Sequence, residues 1–139
     1  MKIRVFVFST LCFLFFAFSA TVVFADYQKY TAILPAYKGD ITLIQGSKIT
    51  GNDYINHTGI LIGQPKDQYD SVDVWIERRN ADGSSWSRVS DNNAHYEGGG
   101  PYTLYSNYDL FSGNTIRVRG QNHHLTYVSV GIIGWIDLQ

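Results

Sequence analysis

The chain has 139 residues, 45% of them apolar and 17% charged, with a formal charge of −1. This is one domain's worth of ordinary globular composition, and it excludes an intrinsically disordered chain. The near-neutral balance also lacks the basic excess of a nucleic-acid binder.

The N-terminus reads as a targeting segment. Lys2 and Arg4 precede a run from Val5 to Ala25 with no charge and seven phenylalanines. Val23-Phe24-Ala25 places small residues where polar sequence begins. This is signal-peptide grammar for residues 1–25, with cleavage after Ala25 or, by the same rule, after Ala20. The competing reading is a retained anchor, because 21 uncharged residues can span a bilayer. The one cysteine, Cys12, follows Thr10 and Leu11 rather than the small residues of a lipoprotein signal. A mature chain of residues 26–139 is therefore free of cysteine and of disulfides. Small secreted eukaryotic domains lean on disulfides, so their absence points to a bacterial exoprotein of Gram-positive type. Cleavage removes Lys2 and Arg4 but no acid, which takes the charge from −1 to −3. What remains is a single domain, long enough for one core.

No segment of it holds a helical period; alternation of apolar and polar residues recurs instead. In chain order, strands are expected over Tyr30–Tyr37, Asp40–Ile44, Thr58–Ile62, Ser71–Arg79, Ser85–Ser90, Tyr102–Tyr105, Thr115–Arg119 and Thr126–Leu138. Within Ser71–Arg79, Val72, Val74 and Ile76 share one face, and Asp73, Trp75 and Glu77 the other. Within Thr115–Arg119, Ile116 and Val118 point inward, Arg117 and Arg119 outward. The last strand sets Val128, Val130, Ile132, Ile136 and Leu138 on a core face that includes Gly134. Tyr127, Ser129, Gly131, Ile133, Trp135 and Asp137 take its other face. Its two glycines signal a bulge or a close backbone approach. Turns are expected at Lys38-Gly39-Asp40, Asp82-Gly83, Ser112-Gly113-Asn114, Gly120–Leu125 and the run Gly98-Gly99-Gly100-Pro101. About eight short strands with turns between them predict an all-β fold, a small antiparallel β-sandwich.

Ile33-Leu34-Pro35 through Gly39, Lys48-Ile49-Thr50, Val72-Asp73-Val74-Trp75 and Arg117-Val118-Arg119-Gly120-Gln121-Asn122-His123 together resemble small secreted β-sandwich proteins of Gram-positive bacteria. That group has no assigned activity. The resemblance implies export and fold, and it transfers no functional residue.

Catalytic grammar is absent. The mature chain has no cysteine nucleophile and no Gly-x-Ser-x-Gly. Its two glutamates, Glu77 and Glu97, lie beside two arginines and beside a glycine run, poor settings for a glycosidase acid. His123-His124 is a conspicuous pair that could ligate one metal from a turn, with His57 or His95 as further ligands, but no spacing motif announces a site. Asp91-Asn92-Asn93 reads as a turn rather than a calcium loop. The expectation is a non-enzyme with no cofactor and no metal.

What remains is aromatic and polar. By alternation, Trp75, Trp135 and Tyr127 lie opposite the aliphatic faces of their strands, together with Asp73, Arg117 and Arg119. Tyr102 and Tyr105 belong to a second cluster beside the glycine run. Aromatic rings with polar neighbours suit stacking on sugar rings while Arg and Asp bond hydroxyls. In the alternative reading the tryptophans are core. The favoured function is a secreted, non-catalytic binding protein acting at a cell envelope or extracellular polymer, in the manner of a carbohydrate binder. Its partners would be an envelope polymer, a glycan or an extracellular protein; no nucleic acid is expected, and a membrane is met only through the signal peptide during export. A bacteriocin-like antimicrobial protein and an inhibitor of a secreted enzyme are the alternatives. The expected location is extracellular, cell wall included.

Overall fold

The computed structural model describes residues 26–62, 71–124 and 127–139. The expected signal peptide lies outside these residues, as do Leu125 and Thr126. The described residues form nine antiparallel strands: β1 (Tyr27–Leu34), β2 (Asp40–Ser47), β3 (Tyr54–Ile62), β4 (Ser71–Arg79), β5 (Trp86–Arg88), β6 (Asn93–Tyr96), β7 (Tyr102–Tyr105), β8 (Thr115–Asn122) and β9 (Val130–Asp137). They make two sheets packed as a sandwich. The first has the order β1-β9-β3-β7, and the second β2-β8-β4-β5 with β6 also on β4. β5 and β6 share one edge of β4, facing Glu77–Arg79 and Ser71–Val74 respectively. Between them, the Val89 N–H donates to the Ile76 carbonyl at 3.0 Å, and Ser90 Oγ accepts from the Ile76 N–H at 2.8 Å. The ladder therefore stays satisfied where the edge changes partner.

Alternation places the core as expected for the long strands. Val72, Val74, Ile76, Ile116, Val118, Val130, Ile132, Ile136 and Leu138 are all buried between the sheets. Val128 is not: it is 46% exposed, because β9 begins only at Val130. β8 also runs through Gly120–Asn122, where a loop was expected. Asn122 stays inside by donating from Nδ2 to the Pro35 carbonyl at 2.9 Å. β6 was missed, since Asp91-Asn92-Asn93 reads as a turn and conceals the strand that starts at Asn93.

Two backbone features follow from local chemistry. β1 stops at Leu34 because Pro35 has no N–H to continue a ladder. The chain then turns over Ala36–Gly39, with the Gly39 N–H on the Ala36 carbonyl at 3.2 Å. Tyr37 and Lys38 sit at φ 58° and 56°, the left-handed pair of a type I′ turn, and this turn carries the chain from the first sheet to the second. In β9, the hydrogen-sized side chain of Gly134 provides the expected close approach. The Tyr30 ring lies over it, and a Cβ there would meet Tyr30 Oη at 2.6 Å.

One end of the sandwich is closed by Lys48, whose side chain is almost wholly enclosed. Its ammonium donates to Thr50 Oγ1 at 3.3 Å and to Asn52 Oδ1. Burial lowers the Lys48 pKa from the usual lysine value, and the charges of Asp137 and Asp53 oppose that shift.

Candidate functional site

The outer face of the second sheet carries most of the sequence-derived candidates. Register sets Trp75 beside Arg119, Glu77 between Arg117 and Arg88, and Asp73 beside Gln121. These residues belong to three neighbouring strands, and period-2 geometry aims all of them away from the core. The polar groups are tied together. Arg117 bonds Glu77 Oε2 at 2.6 Å, and Trp75 Nε1 donates to Glu77 Oε1 at 3.1 Å. Arg119 reaches Asp40 Oδ2 at 2.5 Å and Thr42 Oγ1 at 2.8 Å. This pairing holds the Asp40 carboxyl below the usual carboxylate range. Asp73 accepts from Gln121 Nε2 at 3.1 Å and faces His123 Nδ1 at 2.6 Å.

Two guanidinium groups lie on tryptophan faces. Arg88 sits 4.9 Å from the Trp75 ring centre, and Arg117 sits 4.4 Å from that of Trp86. Cation–π contact of this kind fixes the arginine planes. It also covers Trp75, which is only 4% exposed although it lies outside the core. The sequence readings offered core or open surface for Trp75. The structure makes it the underlay of a polar face.

Trp135 and Tyr127 are elsewhere. Trp135 is half-buried on the outer face of the first sheet, so the two tryptophans occupy opposite outer faces of the sandwich. The single composite surface expected from alternation is therefore divided: strand parity was read correctly, but parity does not say which sheet a strand joins. Trp135 fits against Gly59, which sits at φ 67° within the β3 irregularity; a Cβ there would lie 2.6 Å from the indole. Tyr127 is 74% exposed and meets Tyr37 edge-on at 5.5 Å, next to the β1–β2 turn.

The tyrosines of the glycine-run cluster separate as well. Tyr105 is exposed and meets Tyr54 at 5.9 Å. Tyr102 is half-buried and stacks on His95, with ring centres 4.2 Å apart and planes at 11°. Its hydroxyl accepts the Tyr96 N–H at 3.2 Å, and it fills the space that a Cβ on Gly99 would need.

Behind Tyr102 lies a feature that sequence reasoning missed. His57 and His95 are both fully enclosed, one from each sheet, and their Nδ1 atoms face each other at 2.5 Å. His57 Nε2 contacts Tyr30 Oη at 2.7 Å. A hydrogen bond between two facing ring nitrogens holds one proton, so one Nδ1 donates, the other accepts, and the two imidazoles are not both charged. Burial pushes His57 down to about 3, helped by His95. Burial likewise pushes His95 down to about 4, against the pull of Asp73. Burial also raises the Tyr30 pKa above the usual phenol value. The sequence offered these histidines as extra ligands for His123-His124. Instead, His123 pairs with Asp73, and His124 meets it edge-on at 4.7 Å. Among the described residues, no three His, Cys, Asp or Glu side chains are grouped to hold a metal. The missed signal was alternation in β3: Ile55 and His57 share a face, which places the histidine inward.

No family model matches the chain, and no curated protein matches it. Two solved structures are similar to the chain at TM-scores below 0.5. One is a crystal structure of a protein from Sulfurospirillum deleyianum, at 9% identity and a TM-score of 0.39, covering 81% of this chain and 99% of that one. The other is infectious bursal disease virus Gx strain, at 13% identity and a TM-score of 0.34, where 81% of this chain spans 39% of the viral chain.

Proposed function

We propose that this is a secreted, non-catalytic binding protein that acts at a cell envelope or extracellular polymer through the outer face of its second sheet. The observation that carries the reading is that Asp73, Glu77, Arg117, Arg119 and Gln121 share one outer face with Trp75, in register across β4 and β8. Guanidinium and carboxylate edges spaced along strands suit the hydroxyls of an extended polymer, and their ion pairs fix them before a ligand arrives. Trp75 stiffens this face from beneath rather than stacking on a sugar. Trp135 lies on the opposite outer face and Tyr127 beside the β1–β2 turn, so neither is needed for the same contact.

The test is co-sedimentation of the purified protein with whole cells and with purified cell-wall polymer of Gram-positive bacteria. Saturable binding is expected. Arg119→Gln and Gln121→Ala should each weaken it about tenfold, the cost of one charge-assisted or well-made hydrogen bond. Absence of saturable binding, or binding that survives both substitutions unchanged, would refute the reading.

A further inference from the structure

A second candidate site lies at the β5 edge of the same sheet, where an open cleft of about 470 Å³ is lined by Arg78, Ser87, Arg88, Val89 and Tyr108. We infer that this cleft binds an anionic sugar unit, a ring bearing a carboxylate or phosphate.

Arg117 and Arg119 are neutralised by Glu77 and Asp40. Arg78 and Arg88 have no carboxylate partner among the described residues. Arg78 Nη1 donates to the Asp109 main-chain carbonyl at 2.9 Å, and the Asp109 carboxylate takes no part in that bond. Arg88 donates from Nε to the Ser90 carbonyl at 2.9 Å and from Nη2 to Asn92 Oδ1. These neutral acceptors orient each guanidinium without cancelling its charge. Both retain N–H groups that no described residue accepts, and a planar donor fork matches a carboxylate or phosphate. The nearby acid Glu77 is already engaged with Arg117 and Trp75.

The aromatic wall of the cleft is held in place. Tyr108 is 60% exposed, yet the loop that carries it is pinned on both sides. Before it, the Ser106 N–H donates to the Asp53 carbonyl at 2.7 Å, and the Asn107 N–H to the Val89 carbonyl at 2.6 Å. After it, the Leu110 N–H donates to Asp53 Oδ1 at 2.6 Å, and Leu110 itself is buried. A large ring held in water by a fixed backbone offers apolar area to a sugar face at little ordering cost. Arg78 and Arg88 line the cleft together with this ring, Arg88 also lying on the Trp75 face, and cations beside an exposed ring match an acidic sugar.

The site rests on its own residues, so it can fail while the sheet-face reading stands. The experiment is an amide-resonance titration of the purified protein with trigalacturonate, glucose 6-phosphate, inorganic phosphate and neutral maltotriose. The expected result is saturable shifts at Arg78, Arg88 and Tyr108 with trigalacturonate or glucose 6-phosphate, weakened by added salt, and none with maltotriose. The first two probes distinguish a carboxylate ligand from a phosphate ligand. Inorganic phosphate binding as well as glucose 6-phosphate would overturn the role given to the ring and to Tyr108. Arg78→Gln and Tyr108→Ala should each reduce affinity about tenfold without changing thermal unfolding, while Arg79→Gln, outside the cleft, should not reduce it. No saturable shift with either acidic sugar, equal binding of maltotriose, or wild-type affinity in both cleft variants would overturn the inference. If these occur while Arg119→Gln still weakens polymer binding, the face survives without the cleft.

Discussion

The facing Nδ1 atoms of His57 and His95 put two titratable rings in the core on a single shared proton. In the unfolded chain each ring titrates near 6.5. In the folded chain their pKa values fall to about 3 and about 4. Between these limits the unfolded state binds more protons, so stability declines as pH falls. The contribution is fully present above pH 6.5 and is lost as pH drops through the folded values. Each histidine costs up to about 1.4 kcal/mol per pH unit within that window. Denaturant unfolding measured from about pH 7 to 4 should show this slope, and the two imidazoles should keep neutral nitrogen shifts at about pH 5 while the protein is folded. Charge on both imidazoles in the folded state at that pH would contradict the arrangement. Little of this was readable from the sequence. Alternation can place one histidine inward, but only the packing of β3 against β6 brings the second ring to it.

At the scale of elements, β4, β5 and β8 form a unit whose outer side chains are cross-linked. Glu77 is its hub, accepting from both Arg117 and Trp75. Glu77→Gln keeps the shape and an amide oxygen for Trp75 but removes the ion pair. Because both partners are largely shielded, with side chains 23% and 14% exposed, the loss should exceed that of an open surface pair. A destabilisation of about 1 kcal/mol is expected, read as a fall in Tm of roughly 4 °C. An unchanged Tm would mean that the ladder is ornamental to the fold. The residues of this unit were legible beforehand: Val72, Val74 and Ile76 against Asp73, Trp75 and Glu77 is an unbroken period of two. What stayed hidden was Arg88 lying over Trp75, since a cross-strand ring contact depends on register and rotamer, which a one-strand pattern does not contain.

At the scale of the molecule, β9 joins the fold together. It is central in the first sheet, pairing β1 on one side and β3 on the other. Tyr27 at the start of the domain faces Asp137 near its end. Deleting residues 130–139 would leave β1 and β3 unpaired along those edges and would remove Val130, Ile132, Ile136 and Leu138 from the core. The truncated chain should be unfolded by near-UV dichroism; a cooperative thermal transition in it would show that the first sheet can close without β9.

The sequence by itself determined the class of fold, the strands with strict alternation, the aliphatic half of the core and the outward parity of Asp73, Trp75, Arg117 and Arg119. These are consequences of local geometry, because in an extended chain a side chain's face is fixed by its place in a period of two. Tertiary structure alone decided which sheet each strand joined. That choice separated Trp75 from Trp135, set His57 against His95, and brought Tyr108 to the arginines of β4 and β5. Pairing between strands far apart in the chain is set by the burial of the whole core at once, and no window of neighbouring residues carries that information.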